Sequence, residues 1–310
     1  MNKIEIPVLR FRFEVTALED IPFPQFRGST FRGAFGTALK DTVEPQIYYE
    51  IFESYNASEI PDPDMSSSLP NPYLFETSDF SGKVEQGHTF EIGFSLFGRR
   101  MRYVEECVNA IARASEHGFS YERKKSQISR IYQVYADGSE KLLYDGRHII
   151  ITSQLDKHFT VNYPTGIKCV ELEFLTPTRI MKNNLPLMPG NFNLHDFFNV
   201  LITRINLIYH LYAFHPFEDD HNSDFKFYEE KIKSLRIYSN QLKVMECARY
   251  SNRQQKHVNL TGITGRIIIT GKNLDDLIRY LIAGQYLHVG HAAVMGLGQY
   301  KIRFLDFSSN

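Results

Sequence analysis

Hydrophobic and polar residues alternate in two stretches of the N-terminal half, residues 9–15 and 90–96. This period of two predicts a half-buried strand in each stretch, because successive side chains of a strand point to opposite faces. Between the two strands, residues 28–40 are predicted to form a helix with Ser29 or Thr30 as its cap. The chain is therefore expected to open with a strand, a helix and a further strand.

The rest of this half is predicted to add a helix and a hairpin. Apolar residues at helical spacing predict a helix over residues 103–116, which a following glycine ends. Two apolar runs predict strands at 127–135 and 142–151, joined by a turn at residues 137–138. Residues 55–72 are rich in Pro, Ser and Asp and are predicted to form a loop.

The second half begins near residue 168 and follows a similar order of elements. The pattern predicts a strand at 170–174 that Pro177 ends, an amphipathic helix at 194–211, an acidic loop at 216–224, a helix at 225–236 and a buried strand at 265–270.

The chain closes with a glycine-rich loop, residues 288–300, between a predicted helix at 274–287 and a predicted strand at 300–304. Its glycines, Gly290, Gly296 and Gly298, permit positive φ angles and close approach of another backbone or a phosphate. The loop matches neither the phosphate loop nor the dinucleotide fingerprint, since those follow a strand and open a helix. The order found here argues against a nucleotide cofactor.

Both halves read strand, helix, one or two strands, helix, strand, which is the βαββαβ order of a ferredoxin-like unit and of RNA-recognition motifs. We therefore predict an α+β fold of tandem ferredoxin-like (RRM-like) domains at residues 1–165 and 166–310, each with an antiparallel sheet. The second strand of each half has the weakest pattern, since neither 44–54 nor 240–248 alternates cleanly.

Composition supports a globular protein and narrows its location. The 310 residues are 43% hydrophobic with a net charge of −1, so overall charge neither suggests nor excludes a nucleic-acid partner. Three widely spaced cysteines are typical of buried thiols in a reducing compartment. The sequence shows no signal peptide, and no apolar run approaches the roughly 18 residues of a membrane span. We expect a cytoplasmic protein without a membrane partner.

Two pairs of histidines are candidate metal ligands. His288 and His291 lie three residues apart, and His210 and His215 five apart, with no acidic or cysteine partner nearby in sequence. Closed metal sites need three or four ligands. No Gly-x-Ser-x-Gly motif supports a nucleophilic triad either. We therefore expect no metal and no cofactor.

Positive charge is concentrated in three clusters interleaved with tyrosine and glycine, which suits phosphate contacts and base stacking. The clusters are Arg27, Arg32 and Lys40; Arg123, Lys124, Lys125 and Arg130; and Arg249, Arg253, Lys256, His257 and Arg266 around Tyr250. The alternative is a solvated face, which we favour for residues 123–130. For residues 249–266, beside the glycine-rich loop, we favour RNA binding.

These motifs resemble one family when their order is considered. In the C-terminal half they are residues 249–254, 260–265, 283–290 and 296–300; in the N-terminal half they are residues 26–36, 70–73 and 96–99, followed by Thr176–Pro177. Together they resemble the CRISPR-associated repeat-processing endoribonucleases of the RAMP superfamily, in the branch with this glycine-rich C-terminal domain.

The resemblance implies cleavage within CRISPR repeat RNA without a metal. In that reaction the 2′-hydroxyl attacks the adjacent phosphate and leaves a 5′-hydroxyl and a 2′,3′-cyclic phosphate. A base, an acid and a cation on the phosphorane are required. The resemblance also implies tandem ferredoxin-like domains, with the glycine-rich loop packed between them near bound RNA. CRISPR repeat RNA and other CRISPR-associated proteins are the implied partners.

One departure concerns the catalytic residues. Many family members place a histidine in or near the first helix, whereas residues 20–60 here contain none. The candidates are then Arg32 and Lys40 as cations on the phosphorane and His291 as a titrating acid or base. Arg32 could instead only bind phosphate, Lys40 could be a solvated helix-end charge, and His291 could make a loop hydrogen bond.

The RNA-binding candidates come from the same motifs: Arg27, Ser29, Arg249, Tyr250, Arg253, Gly290, Gly296, Gly298 and Tyr300. Two further functions stay open. The first is a non-catalytic RNA-binding RAMP subunit of a CRISPR effector complex, which the missing first-helix histidine favours. The second is a ferredoxin-like metabolic protein unrelated to RNA.

Overall fold

The computed structural model describes residues 1–53, 69–77, 82–147, 155–183, 185–217, 225–251 and 256–305. The chain divides into two compact units. The N-terminal unit comprises Pro7–Phe159 with Tyr212–Phe214, and the C-terminal unit comprises Met1–Ile6, Thr160–Leu211 and His215–Asn310. Parts of the predicted loops at 55–72 and 216–224, and of the predicted strand at 142–151, lie outside the described residues.

The N-terminal unit has the βαββαβ order with one added strand. After β1 (Asn2–Ile6), which belongs to the other unit, come β2 (Val8–Ala17), α1 (Gly28–Thr42), α2 (Pro45–Ile51), β3 (Tyr73–Glu76), β4 (Thr89–Phe97), α3 (Val104–His117), β5 (Ser126–Val134) and β6 (Glu140–Tyr144). The antiparallel sheet has strand order β3-β4-β2-β5-β6.

Aromatic side chains fill the core between this sheet and its helices. Alternation in β2 turns Phe11, Phe13 and Val15 inward. Helical spacing places Phe31 and Phe35 of α1 on the same side of that helix, where both are buried. Contacts between aromatic rings in such a core contribute about 0.5–1.5 kcal/mol each to stability, beyond the effect of the buried area. The opposite face of the sheet is left to charged residues.

The C-terminal unit repeats the order and adds two hairpins. It contains β7 (Phe159–Tyr163), β8 (Cys169–Thr178), β9 (Met181–Lys182), β10 (Leu185–Pro186), α4 (Leu194–Tyr212), α5 (Phe225–Lys233), β11 (Arg236–Met245), β12 (Ala248–Ser251), β13 (Lys256–Asn259), β14 (Gly262–Thr270), α6 (Leu274–Leu287) and β15 (Tyr300–Phe304). Its main antiparallel sheet has the order β11-β14-β8-β15. The predicted tandem ferredoxin-like fold with antiparallel sheets is confirmed.

Several local predictions were wrong. Residues 44–54 contain helix α2 rather than a strand, since Pro45 occupies the first helical turn, where a missing N–H costs nothing. The second strand of this unit is β3, whose Tyr73 and Phe75 are buried. Ser29 and Thr30 do not cap α1 but lie within it, after an Arg27 N-cap without a side-chain hydrogen bond.

The strand predicted at 170–174 also extends further than expected. It continues to residue 178 through Pro177, which sits one residue before the end of β8. The carbonyl of Pro177 still accepts a hydrogen bond there, from Gly298 of the glycine-rich loop. A strand end therefore tolerates this proline, because little ladder pairing is lost.

Candidate functional site

The glycine-rich loop follows α6 and is built from residues with positive φ. His288 (φ 57°), Gly290 (84°), Ala292 (60°), Gly296 (93°) and Gly298 (72°) all adopt it, with a short 3₁₀ turn at Ala293–Met295 between them. A left-handed conformation is uncommon for residues other than glycine. Its repetition here turns the chain sharply between α6 and β15.

Hydrogen bonds fix the loop to the end of β8. They are Thr176 Oγ1 to Gly296 O at 2.8 Å, Gln299 N to Thr176 Oγ1 at 2.9 Å, Gly298 N to Pro177 O at 3.2 Å and His291 N to Arg179 O at 2.9 Å. A Cβ on Gly298 would overlap the carbonyl of Val289, and one on Gly290 would overlap that of Arg179. These two glycines are needed for the packing of the loop itself.

His288 holds the start of the loop from inside. The side chain is fully buried, and its Nδ1 lies 3.1 Å from the Leu297 carbonyl oxygen. Arg204 Nε donates to the carbonyls of Leu287 and His288 at 3.0 and 3.1 Å, which satisfies the C-terminal end of α6. His288 is therefore a structural residue of the loop.

His291 points the other way and is exposed. Its backbone is fixed by the bond to Arg179. Partial loss of hydration and, second, the positive charge of Arg179 lower the pKa of His291 below its usual value of 6.5. The ring is consequently mostly neutral at pH 7 and is able to accept a proton.

Arg179 was not identified from the sequence. Its Nη1 donates to the carbonyls of Asn259 at 2.7 Å and Thr261 at 3.4 Å, and burial lowers its pKa. Among the described residues no carboxylate pairs with it. The only signal in the sequence is its place directly after the Thr-Pro-Thr end of a strand.

In the N-terminal unit, Arg32 and Lys40 lie on one face of α1 with Gly36 between them. The Arg32 guanidinium stacks 4.4 Å from the Phe52 ring centre, and Lys40 Nζ lies 5.9 Å from that of Tyr48. A Cβ on Gly36 would overlap the Phe52 ring. Two helical turns, about 12 Å of helix rise, separate the two cations.

Arg32 is less accessible than its charge suggests. Its Nε is buried without a hydrogen-bond partner, as is the hydroxyl of Tyr73. Burial raises the pKa of Tyr73, and the nearby Arg32 charge opposes that shift. Lys40 is exposed. The structure therefore places the two catalytic candidates of α1 in unlike surroundings.

Two RNA-binding candidates are core residues. Arg27 is 1% exposed and stacks 4.7 Å from the Phe23 ring centre. Tyr300 is also 1% exposed, and its hydroxyl donates to the Leu281 carbonyl at 2.7 Å. Because neither side chain reaches the surface, the expectation of RNA contact is corrected here for both.

The other described candidates lie in α1, in strand β12 and in the glycine-rich loop. Ser29 is half-buried within α1, and Arg249 is half-buried in β12. Tyr250 follows in the same strand, whereas Arg253 lies outside the described residues. Gly290, Gly296 and Gly298 belong to the glycine-rich loop. Of all the predicted site residues, the structure brings together His291 and these three glycines.

The outer faces of the two sheets, opposite their helices, differ in charge. On the N-terminal sheet three arginines meet four glutamates: Arg10, Arg12 and Arg130 with Glu14, Glu76, Glu91 and Glu140. On the C-terminal sheet five cations meet two glutamates: Arg236, Lys243, Arg266, Lys301 and Arg303 with Glu171 and Glu173. The C-terminal face is therefore the basic one.

Within the described residues, no group of three or more His, Cys, Asp or Glu side chains is arranged to hold a metal ion. None of the helices described is both long and apolar enough to cross a bilayer.

Two protein-family models match parts of this chain. Residues 172–300 match the family model for CRISPR-associated endoribonuclease Cas6. The C-terminal region is therefore similar to the Cas6 family domain. The resemblance predicted from the sequence is thereby confirmed. Residues 6–156 match a further model that is described as an N-terminal domain. No curated protein sequence matches the chain.

Solved Cas6 structures share the fold of the whole chain. A Cas6 product complex aligns with a TM-score of 0.60 at 12% identity, covering 96% of this chain and 99% of that one. Thermus thermophilus Cas6 aligns at 0.56 and 11% identity, covering 97% and 99%. A partial Cas6-RT-Cas1–Cas2 complex aligns at 0.59 and 12%, covering 97% of this chain and 46% of the other.

Proposed function

We propose that this protein cuts CRISPR repeat RNA as a metal-independent endoribonuclease. One observation carries the proposal. Within the region similar to the Cas6 family domain, the glycine-rich loop presents an exposed, mostly neutral histidine, His291, on a backbone fixed by Arg179. An accessible base on a rigid support is what activation of a 2′-hydroxyl requires.

In the proposed reaction His291 takes the proton of the 2′-hydroxyl as its oxygen attacks the adjacent phosphorus. The bond from phosphorus to the 5′-oxygen breaks, and that oxygen leaves with a proton from solvent. The products are a 2′,3′-cyclic phosphate and a 5′-hydroxyl. Arg32 and Lys40 are the candidates for a cation on the phosphorane, and the exposed Lys40 is the more accessible of the two.

RNA contacts are proposed for three parts of the C-terminal unit. They are the glycine-rich loop, the strand that carries Arg249 and Tyr250, and the basic outer face of the sheet. Arg253, which lies outside the described residues, is retained as an RNA contact from the sequence alone. Ser29 is retained as a phosphate contact of α1. Basic surface draws RNA because each neutralised phosphate releases bound counterions.

The test uses a panel of CRISPR repeat RNAs incubated with the purified chain in EDTA. We expect a single internal cut whose upstream product carries a cyclic phosphate, detected by its resistance to a phosphatase until acid opens the ring. A requirement for Mg²⁺, or a 3′-hydroxyl product, would contradict the mechanism. Failure to bind any of these RNAs at low salt would contradict the function itself.

The second candidate function is a non-catalytic RNA-binding subunit of a CRISPR effector complex. The absence of histidine from residues 20–60, where α1 offers only Arg32 and Lys40, favours it. Tight binding of repeat RNA without any cut would support this reading and exclude the nuclease. Association with other CRISPR-associated proteins fits either function, since the fold also occurs in the Cas6-RT-Cas1–Cas2 complex.

A further inference from the structure

Arg179 lies where three segments of the C-terminal unit meet. It directly follows β8, and its carbonyl accepts the His291 backbone N–H at 2.9 Å. Its side chain reaches a different segment and donates to the carbonyls of Asn259 and Thr261 at 2.7 and 3.4 Å. One residue thus joins the strand, the glycine-rich loop and the turn at residues 259–261.

That turn forms the base of the paired strands β12 and β13, residues 248–251 and 256–259, which we call the basic hairpin. Its strands pair from Ala248 opposite Asn259 to Ser251 opposite Lys256. Below this ladder the Leu260 N–H donates to the Cys247 carbonyl at 2.7 Å. The basic hairpin therefore lies in sequence between β11 and β14 of the main sheet, and Arg179 hydrogen-bonds to the turn at its base.

The bonding of Arg179 differs from that of a phosphate-binding arginine. Its donors go to two carbonyls and, through Nη2, to the Met181 sulfur at 3.6 Å. Its side chain is only partly exposed. Both carbonyl bonds come from Nη1, whose plane the Nη2 contact with Met181 helps to fix, whereas the ammonium of lysine is a rotating point donor on a flexible stem.

We propose that Arg179 is a positioning residue that fixes the basic hairpin relative to His291, so that both engage the same RNA molecule. The inference rests on the proposed function in taking RNA as the ligand. The structural role of Arg179 does not depend on that function. Because the bond to His291 comes from the backbone carbonyl, which any residue at position 179 keeps, loss of the side chain should loosen the hairpin base and leave the glycine-rich loop in place, in the free protein.

The experiment compares Arg179→Lys, Arg179→Met and the control Arg113→Met, which removes a surface arginine of α3 that is 52% exposed. Amide hydrogen exchange is followed at residues 256–261 and 288–299 without RNA. We expect faster exchange at residues 256–261 for both Arg179 variants, unchanged exchange at 288–299, and no change in either segment in the control. Unchanged exchange at residues 256–261 in Arg179→Lys would overturn the proposal, because a lysine keeps the charge but not the two-carbonyl geometry.

The pKa of His291, measured by NMR titration, distinguishes the effect of the Arg179 charge from the effect of its hydrogen bonds. Removing the Arg179 charge in Arg179→Met should raise the pKa of His291 toward 6.5, whereas Arg179→Lys should leave it lowered. Should Arg179→Met fail to fold, Arg179→Lys alone still decides the exchange result.

RNA affinity supplies the last comparison, through a double-mutant cycle with Arg249→Ala. We expect Arg179→Lys to bind repeat RNA about tenfold more weakly, which is about 1.4 kcal/mol. The double variant should lose less binding free energy than the sum of the losses in Arg179→Lys and Arg249→Ala. Additive effects, with affinity retained by lysine, would make Arg179 an ordinary phosphate contact. If the wild type binds no RNA the proposed function fails, and hydrogen exchange still decides the role of Arg179.

Discussion

Two regions hold the catalytic candidates, and each depends on a glycine in close contact with a neighbour. In α1 the contact is between Gly36 and the ring of Phe52, and that ring covers the guanidinium of Arg32. In the glycine-rich loop the contact is between Gly298 and the carbonyl of Val289, and it leaves His291 exposed. Close packing at a glycine thus accompanies a covered Arg32 guanidinium in α1 and an exposed His291 in the glycine-rich loop.

The difference bears on the chemistry of each region. A cation held over an aromatic ring is stabilised as a cation, so it suits electrostatic contact with phosphate and not proton transfer. A histidine with a lowered pKa and an open side is suited to proton transfer near neutral pH. We therefore expect titrating chemistry in the loop and charge stabilisation in α1.

The largest expected effect comes from His291→Ala. Loss of a general base should lower single-turnover cleavage of repeat RNA by about 10²–10⁴-fold, with RNA affinity changed little. His210→Ala, an exposed histidine of α4, is the control and should cleave normally. An equal loss of rate and affinity in His291→Ala would make it a contact residue, and an unchanged rate would move the base elsewhere.

The next effect is expected at Gly298, where alanine would need both a left-handed backbone and space that Val289 fills. Strain of this kind costs of the order of 1–3 kcal/mol before any steric clash. Thermal unfolding should show Gly298→Ala well below wild type, with weaker RNA binding. Gly138→Ala is the matched control, since Gly138 has φ of 83° but nothing near its Cβ position. Equal losses in the two variants would show that packing around the loop is loose.

A third comparison lies within α1 itself. Gly36→Ala should displace the Phe52 ring and lower the free energy of unfolding by about 1–3 kcal/mol, as overpacking does. Gly33→Ala, on the same helix with open space around it, should raise stability by up to about 1 kcal/mol. Chemical denaturation measures both. A stabilised Gly36→Ala would contradict the close packing of Phe52 on α1.

The hydrophobic patterns of the sequence predict elements that bury one face and miss those that do not. Period-two and helical spacing placed β2, α3, α6 and β15, because these elements bury one face each. The same patterns misassigned residues 44–54, whose helix is short, and could not identify β3 beyond a long connection. Motif order identified the Cas6 relationship and pointed to His291.

Side-chain surroundings were beyond the reach of the sequence. Arg27 and Arg32 are the same residue type five positions apart. Arg27 is buried at the start of α1, whereas Arg32 stacks on Phe52. Arg179 carries no motif because its function is to join segments about 80 and 110 residues away in sequence. Such contacts depend on tertiary packing, which no local pattern specifies.

The smallest expected effect concerns the charge of the two sheet faces. Lys243 and Lys301 lie on the basic face and form no ion pair among the described residues, so both are available to phosphate. Each lysine-to-glutamine change should weaken RNA binding several-fold, and should reduce the slope of log affinity against log salt by about 1 per lost contact. Arg130→Gln on the N-terminal sheet, where Arg130 lies 3.3 Å from Glu14, should leave the slope unchanged. A lower slope in Arg130→Gln alone would place the RNA on the acidic face and reverse the assignment made here.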